Sequence, residues 1–250
     1  MRRFLIFLFI IIICTIGNTI MAQNFKAEQL KKSRVKQAYN NTTVQLDLKL
    51  DQFGLKRENI ELFLRGFKYE KKLEVWIKHR DSIPYKLFKV YDFCVLSGNL
   101  GPKTAQGDLQ VPEGFYHIDR FNAWSTFHLS LGINYPNLAD KKLNGAGNLG
   151  GDIFIHGDCV SIGCIPITNT CIEELYVLAM EAKNNGQTKL PVHVFPFKMT
   201  KKNMDTALLF ISDEALKSFW ENLKQGFFWF EEKRNLPEVK VSPNGNYLYH

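Results

Sequence analysis

The stretch Ile153-Phe154-Ile155-His156-Gly157-Asp158-Cys159-Val160-Ser161-Ile162-Gly163-Cys164-Ile165-Pro166-Ile167-Thr168 is the most informative part of the chain. The apolar run Asp152–His156 reads as a buried strand that ends at His156-Gly157. A tight loop rich in Gly and Ser then delivers Cys164. Beyond Thr168, the residues Leu175, Leu178, Ala179 and Ala182 recur at helical spacing. A helix is therefore expected from about Cys171 to Asn184, with Thr168 or Thr170 as cap and Gly186 just past its end. Strand, loop and helix in succession set one imidazole and one thiol on rigid supports.

Outward from this stretch the chain is dominated by β signals. Leu73–Lys78 alternates around Val75 and Ile77, Asp81-Ser82-Ile83-Pro84 reads as a turn, and Tyr85–Val95 reads as a second strand, giving a hairpin. Gly114–Ile118, Phe127–Leu131 and Pro191–Phe197 add further strands. Ser212–Lys233 reads as a helix with Leu216, Phe219, Trp220, Leu223 and Phe227 on one face. The Phe227–Phe230 aromatics read as helix packing, with a partner- or membrane-facing patch as the alternative. Residues 23–69 read as a polar helix over Ala27–Lys36, a linker and mixed short elements. The expected architecture is mixed α+β and β-dominated, a catalytic core over 70–200 with flanking helices and a helical extension over 201–250.

Residues 1–22 stand apart. Arg2 and Arg3 precede the apolar run Phe4–Ile13, and small or polar residues lead to Ala22, the pattern of a secretory signal peptide. A retained anchor is the alternative, although the run is shorter than the roughly 20 residues a span needs. Without Arg2 and Arg3 the formal excess is +5, and no basic block with interleaved aromatics occurs, so nucleic acid is not the expected partner. An anionic polymer of the envelope fits the charge better.

Cys94, Cys159, Cys164 and Cys171 remain after such processing. One reading makes Cys164 a nucleophile, with His156 as its base and Gly163 letting backbone amides approach a developing oxyanion. Ser161 is the supporting residue, through its hydroxyl or its backbone carbonyl. A second reading takes the H-x2-C-x4-C-x6-C spacing as a zinc site, though structural sites favour paired hooks. A third pairs Cys159 with Cys171 or with Cys94 in a disulfide, which leaves Cys164 free. No cofactor or metal is expected. Gly157, His128, Tyr135 and Asn137 are candidates for substrate contact; His128 alternatively serves as a plain strand residue, and Asn134–Asn137 as turn chemistry.

At these residues the chain resembles the L,D-transpeptidase catalytic domain family, the YkuD type, in its YafK-like branch. The match lies in His156-Gly157, Cys159, Ser161 and Gly163-Cys164, in Gly101–Asp108 with Pro112-Glu113-Gly114-Phe115-Tyr116, and in Phe127–Asn137, together about residues 70–200. Ile162 and Pro166 stand where the typical family pattern has His and Arg. The resemblance implies a β-sandwich- or barrel-like core and a thioester acyl-enzyme formed on a peptidoglycan stem peptide. It further implies resolution by an amine of a peptide or envelope protein, in the periplasm or cell envelope. Resolution by water makes the same machinery an L,D-endopeptidase or amidase. A wall-binding module with a structural Cys and His is the third reading.

Overall fold

A computed structural model describes residues 25–250 apart from Ala146, so the expected export signal over residues 1–22 lies outside the described residues. The strands are β1 (Ile60–Phe67), β2 (Lys72–His79), β3 (Lys86–Asp92), β4 (Gly114–Asn122), β5 (Ser130–Ile133), β6 (Phe154–His156), β7 (Ile165–Pro166) and β8 (Leu190–Phe195). They form one curled eight-stranded sheet in the order β3-β2-β1-β8-β4-β5-β6-β7. The pairings β1/β8 and β6/β7 are parallel and the others antiparallel. Helices α1 (Ser33–Gln52), α2 (Leu138–Asn144), α3 (Asn169–Asn184), α4 (Lys201–Phe210) and α5 (Glu214–Lys233), with a hairpin of β9 (Val239–Val241) and β10 (Tyr247–Tyr249), complete the molecule. The mixed α+β, β-dominated class with flanking helices is as the sequence predicts.

One face of the sheet presents Leu62, Leu64, Val75, Ile77, Ile118, Leu131, Ile155, Ile165 and Val192 to a core shared with α3 and the Val35–Leu50 stripe of α1. The opposite face of β1, β2, β4 and β8 is aromatic: Phe63, Phe67, Trp76, Phe115 and Phe195 meet Trp220, Phe227 and Phe230 of α5. Phe227 and Phe230 are therefore packing residues. Further along this face, β4–β6 turn polar, with Arg120, Asn122, Ser130 and His156.

Two elements differ from the sequence expectation. The helix expected over Ala27–Lys36 is helical over 25–30 and again from Ser33, where the 20-residue α1 starts and runs on to Gln52; its buried Val35, Ala38, Thr42, Leu46 and Leu50 keep helical spacing among many polar residues. Strand β1 falls where only mixed elements were expected, ahead of residue 70. It is buried on both faces between β2 and β8, so its sequence lacks polar alternation. Helix α3 has the expected cap, with Thr168 Oγ1 accepting from Cys171 N at 3.3 Å. Among the described residues, no helix is long and apolar enough to cross a membrane.

Candidate active site

Register places the segment that follows Cys164 beside the strand that ends at His156. In the parallel β6/β7 pair, Ile155 lies opposite Ile165 and His156 opposite Pro166. Both isoleucines enter the core. Side chains alternate along a strand, so Phe154, His156 and Cys164 share the outer face. The thiol meets this strand at Phe154, two residues before His156. Phe154 N donates to Cys164 Sγ at 3.4 Å, and the thiol points its hydrogen toward Asp152 O at 3.7 Å. Neither ring nitrogen of His156 is hydrogen-bonded to Sγ.

The His156 ring is oriented by its own neighbour. His156 Nδ1 is 2.5 Å from the carbonyl oxygen of Gly157. A carbonyl only accepts, so Nδ1 carries the proton and Nε2 keeps the lone pair. Phe127 lies against the ring with centroids 4.7 Å apart. Gly157 N donates to Leu129 O at 3.2 Å, and a Cβ at Gly157 would sit 2.4 Å from Asn169 Oδ1. The His-Gly pair is thus one unit: the glycine packs flat and its carbonyl sets the tautomer.

Burial lowers the His156 pKa, against the Gly157 carbonyl and Asp158. Burial also raises the Cys164 pKa, with Asp152 adding to the rise and the Phe154 amide and Lys103 opposing it. Both shifts favour the uncharged forms, thiol and imidazole, over an ion pair.

Ser161 ties the nucleophile loop. Its Oγ donates to Cys164 O at 2.8 Å and accepts from Cys164 N at 2.9 Å and Gly163 N at 3.2 Å. Of the two roles expected of Ser161, the structure has the hydrogen bonding within the loop, and the carbonyl at His156 Nδ1 is that of Gly157. The amides of Gly163 and Cys164, expected to face an oxyanion, point at the Ser161 hydroxyl. Gly163 has φ 129° and would place a Cβ 3.1 Å from Gln110 O, so only glycine fits there.

A second segment braces this loop. Cys94 and Cys159 form a disulfide with Cα atoms 5.1 Å apart, leaving Cys164 and Cys171 free. Cys94 N donates to Pro166 O at 2.9 Å, and Ser97 Oγ lies 3.3 Å from Ser161 Oγ. Of the pairings the sequence leaves open, the structure has Cys94–Cys159. Ser97 and Phe127 were missed; no spacing signal marks them, because each reaches the site through the fold.

The other candidate contacts are occupied. His128 Nε2 is 2.7 Å from Glu173 Oε1 on α3. Tyr135 is buried, its hydroxyl donating toward Leu149 O at 3.1 Å and Lys103 O at 3.3 Å. Asn137 caps α2, accepting from Asp140 N at 3.0 Å, while its Nδ2 donates to Phe115 O. All three brace the fold around the site and turn their polar atoms to protein partners.

Comparison with known proteins gives a consistent result. The model of the family described as "L,D-transpeptidase catalytic domain" (YkuD) matches residues 74–194. A protein of Escherichia coli strain K12 named "Putative L,D-transpeptidase YafK" is 38% identical over 189 residues, 75% of this chain and 73% of its own length. Among solved structures, the helical cell shape determining protein Pgp2 of Campylobacter jejuni aligns with a TM-score of 0.44 at 20% identity, covering 79% of this chain and 80% of its own. Bd1075 of Bdellovibrio bacteriovorus aligns at 0.39 and 20% identity, covering 75% and 76%.

Proposed function

Because the chain belongs to the L,D-transpeptidase catalytic domain family, which acts on cell-wall peptidoglycan, we propose that it is an exported cysteine acyl-transferase of peptidoglycan stem peptides, with Cys164 as nucleophile and His156 as base. The observation that carries this is the shared outer face of the two side chains, with Nδ1 of His156 committed to the Gly157 carbonyl.

The steps balance as follows. His156 Nε2 takes the proton from Sγ–H as sulfur attacks the donor carbonyl, forming the S–C bond. The tetrahedral intermediate collapses, the C–N bond breaks, and the imidazolium returns its proton to the leaving amine. An acceptor amine then attacks the thioester, losing its proton to Nε2, and the thiolate leaves and is reprotonated. The neutral resting pair suits this sequence, because the thiolate forms only as the proton moves. The amides of Gly163 and Cys164 serve the oxyanion once the Ser161 hydroxyl gives way.

The test is intact-protein mass spectrometry of the mature chain mixed with a stem tetrapeptide, followed by product analysis with an added amine. An adduct of the acyl mass on the wild type, absent in Cys164→Ala, is the expected result, with amide-linked products. Free shortened peptide as the sole product would make the enzyme a hydrolase. No adduct with any stem peptide would end the reading.

A further inference from the structure

Arg120 lies in the same cross-strand row as the nucleophile. Arg120 pairs with Gly132 on β5, Gly132 pairs with Phe154 on β6, and Phe154 N donates to Cys164 Sγ at 3.4 Å. All four are on the outer face. Gly132 leaves a trough in this row: a Cβ there would lie 2.9 Å from Arg120 Nε and 3.0 Å from Phe154 Cε1. The Arg120 side chain occupies the trough and stacks on the Phe154 ring, with Cζ 4.7 Å from the centroid. Arg120 thus reaches across β5 to the strand beside the thiol, where strands are about 5 Å apart.

The charge held there is paired with two carboxylates at the surface, both reached from a half-exposed guanidinium. Arg120 Nη1 is 2.5 Å from Asp152 Oδ1, and Nε is 3.1 Å from Asp119 Oδ1. The Asp152 side chain is 81% exposed. Nη2 has no hydrogen-bond partner among the described residues. Asp152 is also the residue whose main-chain oxygen lies 3.7 Å from Sγ. A carboxylate therefore already sits against this guanidinium, on the residue whose main-chain oxygen faces the thiol. A stacked guanidinium with a free N–H edge is a planar fork for a carboxylate. No Arg follows the nucleophile in sequence, since Pro166 takes that place.

We infer that Arg120 forms a carboxylate subsite for the acyl donor, where a free carboxylate of the peptide replaces Asp152 on the guanidinium. This rests on the acyl-transfer reading above and names the feature of the substrate that the site selects. Two carboxylates of such a peptide have the required chemistry: that of the departing terminal residue, and a free one on the side chain of the residue whose carbonyl is transferred to sulfur.

The experiment measures acylation of Cys164 with three synthetic peptides: unmodified, amidated at the C-terminus, and amidated at the side-chain carboxylate. Wild type, Arg120→Gln and Asp152→Asn are compared, with folding checked by thermal melts. We expect wild type to lose roughly 10- to 100-fold in acylation kcat/KM on one of the two amidated peptides. That peptide identifies the source. Arg120→Gln should lower the unmodified peptide to that same level and erase the discrimination, mainly through KM. Asp152→Asn should lower KM for the unmodified peptide. Equal rates on all three peptides with wild type, or discrimination that survives Arg120→Gln, would overturn the subsite and leave acyl transfer standing. Absence of an adduct with every peptide would remove both.

Discussion

The carbonyl oxygen of Gly157 stands 2.5 Å from Nδ1 of His156, so the residue that follows this imidazole also fixes its tautomer. Catalytic imidazoles are commonly held by a carboxylate. Here a neutral carbonyl does it, and that choice has a consequence for pH. A carboxylate would stabilise imidazolium; a carbonyl does so weakly, and burial pulls the His156 pKa down.

Alkylation of Cys164 should therefore show no thiolate plateau near neutral pH. The thiol is pushed up by burial, so its reaction with iodoacetamide should rise with pH through and beyond the ordinary thiol range. His156→Ala should slow acylation by stem peptide by about 100-fold or more at neutral pH, a general-base loss. A flat, fast alkylation profile down to pH 6 would show an ion pair and contradict the neutral resting state.

Ser161→Ala removes the hydroxyl that joins Gly163 N, Cys164 N and Cys164 O. The expected loss is about 1–3 kcal/mol of stability, from polar groups left unpaired. Acylation should slow more than alkylation, because the loop that must turn the Gly163 and Cys164 amides to the developing charge loses its tie. Urea titration and the two rates measured on one preparation check this; an unchanged ratio of the rates counts against it.

The Cys94–Cys159 disulfide closes a loop with a sequence separation of 65. On the chain-entropy model a loop of that size contributes about 4 kcal/mol. Cys94→Ser should lower stability by an amount of that order and reduce turnover, since Cys159 lies in the loop that carries Ser161 and Cys164. Thermal melts with and without a phosphine reductant should converge for the variant and differ for the wild type.

His193 supplies an acid limb unrelated to catalysis. It is buried between Phe63 and Phe115, its Nδ1 unpartnered, and burial with nearby Arg65 holds its pKa well below the usual value. Below about pH 6.5 the unfolded chain binds a proton the folded chain refuses, so stability falls with pH by up to about 1.4 kcal/mol per unit. Asp140, pushed up to about 6 by burial, has the opposite sign, since its neutral form is favoured in the fold. His193→Phe should flatten the loss below pH 6.5 in urea titrations, and an unchanged slope would refute the assignment.

The sequence by itself determined the strand that ends at His156, the loop to Cys164, the capped helix behind it, and the conjunction of glycines, serine and thiol that marks the family. These are local: hydrophobic period, caps and turn residues act over a few positions, and a nine-residue motif carries its own chemistry. Tertiary structure decided the rest. Strand β1 left no alternating pattern because both its faces are buried. Cys94 found Cys159, Phe127 found His156, and Arg120 reached the row of Cys164 only through the register of β4, β5 and β6. The same register turned His128, Tyr135 and Asn137 toward protein partners. Pairing across a sheet joins residues far apart in sequence, and a shift of one residue would send each side chain to the other face. No single segment of the chain encodes that choice.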